Sequence, residues 1–216
     1  IMLGDVRATG SLEIYTPNGT ISQASGSVIV SGPGNFSAGG SGNITMNLSG
    51  NDFAGVITAF GTNLNITNSN ATTLGTISAT SLNVNSTGGQ ITQAGAATVS
   101  GNTMLTASGN SITVNQTTND FGTLQVTGSN LTLAESNNIT LNNTSITNTV
   151  NITAANQITI SGSYSAANTL LNNGSLDLAS LMTTNLTIDG SGTSANIQTS
   201  GNVSGATILN SGSLTS

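Results

Sequence analysis

NDFAGVITAFGTNLNITNSNATTLGTISATSLNV, residues 51–84, decides the fold, because the chain returns to it. From position 119 it reads NDFGTLQVTGSNLTLAESNNITLNNTSITNTVNI, so Asn-Asp-Phe at 51–53 recurs at 119–121, an offset of 68. Downstream, Leu64-Asn-Ile66 answers to Leu131-Thr-Leu133, and Leu82-Asn-Val84 to Val150-Asn-Ile152. Upstream, Gly19-Thr-Ile-Ser-Gln-Ala24 matches Gly89-Gln-Ile-Thr-Gln-Ala94, and Asn43-Ile-Thr-Met46 matches Ser111-Ile-Thr-Val114. The offsets stay between 67 and 70, so the unit repeats with small insertions. An internal period of this kind is read before anything else, because it sets the architecture.

Within the repeat, apolar and polar residues alternate over three to five positions, as in Val28-Ile-Val30, Ile44-Thr-Met-Asn-Leu48, Ile112-Thr-Val114 and Ile158-Thr-Ile160. That is the signature of half-buried strands. Clusters of Gly, Asn and Ser between them mark turns. Helical periodicity with caps is missing, and so are Lys and most Glu, the usual residues of helix surfaces. Strands this short do not make a stable hairpin sheet. They suit a solenoid, in which each turn of the chain pairs its strands with the turns above and below. The expected fold is all-β: a three-sided parallel β-helix, or β-solenoid. One third of the repeat offset gives coils of about 22–23 residues. About nine such coils, some 4.8 Å apart, make a rod roughly 45 Å long. Three coils per repeat put Phe53 and Phe121 on one interior column, about 14 Å apart.

The expected organisation is a single domain over residues 1–216. Residues 1–18 form an atypical first coil that holds Asp5, Arg7, Glu13 and Pro17. Residues 19–170 hold two 68-residue repeats of about three coils each, and 171–216 hold looser final coils. The outward strand positions are Thr45, Asn65, Asn83, Thr113, Thr132, Thr140, Asn151, Thr159 and Thr187. Thr suits strands by β-branching. Asn tolerates left-handed turns and ladders through its amide with Asn in the next coil. Like charges stacked in successive coils would repel along the whole rod, which explains a charged content of only 4%.

Composition excludes several functions. Gly, Ser, Thr and Asn make up more than half of the chain, yet 35% is apolar and regularly placed, so the chain is not read as disordered. Arg7 is the sole basic side chain and the net charge is −6, so nucleic acid is not an expected partner. No run approaches the roughly 18 apolar residues of a membrane span. With no Cys there are no disulfides. The chain starts at Ile1 and stops at Ser216 in mid-pattern, without a cap helix. The expectation is a removed export signal or a longer parent, with ends that continue the solenoid or dock on neighbouring copies.

Parallel β-helices also include polysaccharide lyases and hydrolases. Glycoside hydrolysis needs two carboxylates about 5–9.5 Å apart. The best-matched pair, Asp52 and Asp120, is expected three coils apart, each a turn residue beside an inward Phe. Asp177 and Asp189 should face different sides. Arg7 is the one cation available to lyase chemistry, and it lies in the atypical first block. Without His or Cys, Ser has no activating partner and zinc no ligand set. Gly39-Gly-Ser-Gly-Asn43 resembles one calcium β-roll repeat but lacks the Asp, and reads as a turn. The many Asn-x-Ser/Thr triplets, such as Asn43-Ile-Thr45 and Asn151-Ile-Thr153, follow from composition. Tyr15, Phe36, Phe60 and Tyr164 are too scattered in sequence to suggest a carbohydrate platform and read mainly as core or corner packing. No catalytic, cofactor-binding or metal residue is therefore assigned, no cofactor is expected, and the chain is not read as an enzyme.

The strings Asn119-Asp-Phe-Gly122, Leu74-Gly-Thr-Ile-Ser-Ala79, Leu82-Asn-Val84 and Gly89-Gln-Ile-Thr-Gln93 resemble repeats of filamentous-haemagglutinin-type proteins, the bacterial exoproteins of two-partner secretion. The likeness is strongest over residues 19–160. It implies a right-handed β-helix, export through an outer-membrane partner transporter, and an extracellular, cell-surface role as adhesin or fibre. That family's secretion domain carries Asn-Pro-Asn motifs. Thr16-Pro17-Asn18-Gly19 only partly echoes one, so the chain reads as shaft. The expected function is structural: an adhesin shaft, or a filament of solenoids stacked end to end by self-association. The alternative is a module that binds cell-surface glycan or ice through a flat Thr/Asn face.

Overall fold

The computed structural model describes residues 1–172 throughout and, beyond them, strand backbone at 176–178, 182–189, 194–196, 202–203, 207–209 and 213–215. The strands of residues 1–172 are short and follow the sequence alternation. They are β1 (Met2–Leu3), β2 (Val6–Ala8), β3 (Leu12–Tyr15), β4 (Ile21–Gln23), β5 (Val28–Val30), β6 (Gly34–Ser37), β7 (Ile44–Met46), β8 (Asp52–Phe53), β9 (Val56–Phe60) and β10 (Asn63–Asn68). They continue as β11 (Thr72–Ala79), β12 (Ser81–Ser86), β13 (Ile91–Gln93), β14 (Ala97–Thr106), β15 (Ile112–Val114), β16 (Asp120–Gly128), β17 (Leu131–Glu135), β18 (Ile139–Ile146), β19 (Thr149–Ala154) and β20 (Ile158–Asn172).

Every pairing is parallel and joins a strand to one a coil away, never to its sequence neighbour by a hairpin. The chain is a β-solenoid. One face can be followed rung by rung through β1, β4, β7, β10, β12 and the later parts of β14 and β16, then the first parts of β18 and β20. These nine rungs, some 4.8 Å apart, span about 40 Å. The ladder runs on into strands 176–178, 194–196 and 213–215. The looser final coils and the uncapped end expected over 171–216 fall mostly outside the described residues.

Alternation sorts each strand into inward and outward positions. Ile44, Leu64 and Leu82 stack inward and are fully buried, whereas Thr45, Asn65 and Asn83 beside them stack outward, half-buried. The core is one continuous column of Ile, Val and Leu, with Phe36 and Phe53 meeting edge to face at 5.9 Å. Outward amides ladder as their chemistry suggests. Asn83 Nδ2 donates to Asn65 Oδ1 at 3.2 Å, Asn63 Nδ2 to Asn43 Oδ1 at 2.8 Å, and Asn172 Nδ2 to Asn151 Oδ1 at 2.8 Å.

Coil length is not the uniform value that even division of the repeat gives. Ile21 to Ile44 takes 23, Leu64 to Leu82 takes 18, and Leu124 to Leu141 takes 17. From β10 onward short corners replace the earlier turns, and adjacent strands fuse into the ten-residue β14 and nine-residue β16. The repeat therefore spans three coils and one further strand. Ile44 stacks with Leu64, Leu82 and Thr103 in succession, and its sequence equivalent Ile112 lies on the strand after that. Phe53 and Phe121 accordingly do not share a column: Phe53 pairs with Val30, Phe121 with Val99.

Candidate functional site

The recurring Asn of Asn-Asp-Phe is buried in both copies and serves as a clamp. Asn51 and Gln23 exchange two amide hydrogen bonds, at 2.8 and 2.9 Å. Asn51 Oδ1 also accepts from Val28 N–H at 2.9 Å, and its Nδ2 donates to the Met46 carbonyl at 3.0 Å. One side chain thus ties β4, β5 and β7 together. Asn119 repeats the arrangement with Gln93 at 2.7 and 3.0 Å, with Ala97 N–H, and with the Val114 and Ala134 carbonyls. A buried amide with its donors and acceptors engaged fixes its neighbours in register. Sequence reading took Asn for turns and ladders and missed this pair. The signal was present, since Gln23 and Asn51 recur together as Gln93 and Asn119.

A second position differs between the copies. Asn68, fully buried, accepts from Phe53 N–H at 2.9 Å and donates to the carbonyls of Phe53 and Ala71. Its equivalent in the second repeat is Glu135. Glu135 accepts from Phe121 N–H at 3.1 Å, Ser136 N–H at 3.1 Å and Asn137 N–H at 3.4 Å. Burial pushes its carboxyl up to about 7, the three N–H groups oppose this, and the charge of Asp120 adds to it.

The carboxylates weighed for hydrolysis are not brought together. Asp52 stacks on Ile29 beside buried Phe53, and Asp120 on Thr98 beside buried Phe121, on different strands of the coil. At the backbone level Asp177 pairs with Thr159 and Asp189 with Asn172, again on separate strands. Arg7 is exposed on β2 and stacks on Ile29. Gly39-Gly-Ser-Gly-Asn43 is a turn: Gly39 has φ +65°, and a Cβ there would run into the Pro17 carbonyl. Among the described residues no group of three His, Cys, Asp or Glu could hold a metal ion. No helix there is long and apolar enough to cross a membrane.

Of the aromatics, Phe36 and Tyr164 are core, and Tyr164 shares a 2.8 Å hydroxyl hydrogen bond with Thr169. Tyr15 and Phe60 are not. They lie far apart in sequence, but the register Tyr15–Ser37–Phe60 places them on the same outer column, either side of a serine. Tyr15 is 64% exposed and Phe60 39%. Between them, over β6, runs a trough of about 280 Å³.

A family of repeats of unknown function (DUF5649) matches residues 1–59, 61–127 and 128–175. The middle match has the length of the internal repeat. No curated protein and no solved structure matches the chain.

Proposed function

The chain belongs to this repeat family, and on that premise we propose that it is a structural shaft: a rigid β-solenoid that works outside the cell, without catalysis, by extending. It forms the stalk of a surface adhesin or stacks end to end into a filament, and a partner transporter in a bacterial outer membrane exports it. The resemblance of residues 19–160 to filamentous-haemagglutinin repeats supports the setting.

One observation carries the reading. Strands β1, β2 and β3 pair on one side only, with β4, β5 and β6. Their inward residues Leu3, Val6, Leu12 and Ile14 are half-exposed, whereas Ile21, Val28 and Phe36 one coil further in are fully buried. This rung offers a free strand edge and an open core to another coil, whether from the same chain or from a second copy. A further coil would continue the same hydrogen bonds and the same apolar column.

The test is electron microscopy of the untagged protein over a rising concentration series. Rods that lengthen in steps of one particle, with a layer reflection at about 4.8 Å along the axis, are expected. Replacing Leu3 and Ile14 with Lys should leave single rods. Single rods at every concentration would overturn end-to-end stacking, and particles without a rod outline would overturn the shaft reading.

A further inference from the structure

We propose that the trough over β6 is a binding site for a neutral, equatorially linked pyranose chain. Its floor is the outward face of β6, Asn35 and Ser37. Its walls are the neighbouring rungs: Glu13 and Tyr15 of β3 on one side, Thr58 and Phe60 of β9 on the other. Two rungs separate the walls, about 9.6 Å at the strand spacing of a sheet. That gap admits one sugar ring with an aromatic face on each side and a serine hydroxyl beneath it. Two residues along the strand, Asn35 lies between Glu13 and Thr58, so the next ring would meet amide, hydroxyl and carboxylate. Flat apolar walls over a few convergent polar groups are the usual make-up of a small-ligand site.

The polar groups of the trough keep their hydrogen-bonding capacity. On other outward columns some amides and hydroxyls bond to the next coil, as in Asn43–Asn63, Asn65–Asn83 and Thr73–Thr92. The side chains of Glu13, Asn35, Ser37 and Thr58 make no such bond among the described residues, which leaves their donors and acceptors free for a ligand. Charge selects the class of ligand. Glu13 stands at the rim and the whole chain carries −6, so uronic or sialic acids are repelled and neutral sugars are not. A chain with all-equatorial links presents C–H faces on both sides of each ring, which matches two aromatic walls. It would lie along β6, across the rod.

The experiment is titration calorimetry of the full chain with cellohexaose, and with hexagalacturonate as the anionic comparison. Cellohexaose is expected to bind with a dissociation constant around 1 mM or below, and hexagalacturonate at least tenfold more weakly. Tyr15→Ala and Phe60→Ala should each weaken cellohexaose at least tenfold. Ser37→Trp, which fills the trough from an outward position, should abolish binding with an unchanged β-sheet circular dichroism spectrum. Met104→Ala, at an exposed apolar side chain elsewhere on the rod, should leave the affinity unchanged. Failure of cellohexaose to bind at tenfold that concentration, binding that survives Tyr15→Ala with Phe60→Ala, or a preference for hexagalacturonate would each overturn the proposal. So would loss of rod-to-rod association in the double variant without any sugar effect, since the rings would then serve a protein contact.

Discussion

Stability should fall between mildly acidic and mildly basic pH, and replacing Glu135 with Gln should remove most of that fall. The folded carboxyl titrates near 7, against an ordinary value of 4.5. The folded state therefore holds a proton that the unfolded chain releases over this interval. That contribution to stability is fully present below pH 4.5 and is lost as pH rises through about 7. A shift of this size corresponds to at most about 3 kcal/mol. Glu135 borders a shallow depression with Thr117 and Thr153, so water screens it, and about 1–2 kcal/mol is the expected effect. For a chain of this length that is roughly 2–8 °C in melting temperature. The substituted glutamine keeps a carbonyl for Phe121 N–H and adds the donor that Asn68 uses in the first repeat. Circular dichroism melts of both proteins at pH 5 and pH 8 decide the matter. The wild type should lose several degrees more than Glu135→Gln on going from pH 5 to pH 8. Equal changes in the two proteins, or a larger gain for the wild type at pH 8, would refute the reasoning.

The Asn119 clamp predicts a large loss for a single side chain. Asn119→Ala strands the Ala97 N–H, the Gln93 amide and two carbonyls inside the rod, and should cost about 2–4 kcal/mol in urea unfolding, with faster hydrogen exchange at Ala97. Close stacking of turns predicts that Gly42→Ala destabilises by at least about 2 kcal/mol, since its Cβ would run into the Gly19 carbonyl oxygen. Gly40→Ala, where no atom lies within 4 Å, should change stability by less than about 0.5 kcal/mol in the same assay.

Local pattern made the solenoid legible. Alternation of Ile, Val and Leu with Thr and Asn is set by the two-residue strand period, and the inward direction of Ile44, Leu64 and Leu82 followed from it. The pairing register was not legible, because it depends on corner lengths. The coil from Leu64 to Leu82 closes in 18 and that from Ile21 to Ile44 in 23, so the repeat offset could not be divided evenly. The same ignorance of register hid the Tyr15–Phe60 column, whose members look unrelated until Ser37 is placed between them. Gln23 and Asn51 meet across a separation of 28, beyond the reach of any local pattern. The exchange of Asn68 for Glu135 stood in plain sight at matching repeat positions, but its meaning needed the burial of both.

A unit that advances three coils and one strand turns the rod as it builds it. The rung of Ile44 reappears at Ile112 on a different face, and the rung of Leu74, which lies on that second face, reappears at Leu141 on the face of Ile44. A feature written into the repeat therefore changes sides of the shaft from one copy to the next, and the repeat by itself keeps neither face for it. Handedness of purpose, a front and a back, has to come from residues that break the repeat. Phe60 does so, since its equivalent one unit later, at the offset that relates Leu64 to Leu131, is the exposed Thr127. On a long shaft such departures, and not the repeated text, would decide which way the molecule faces.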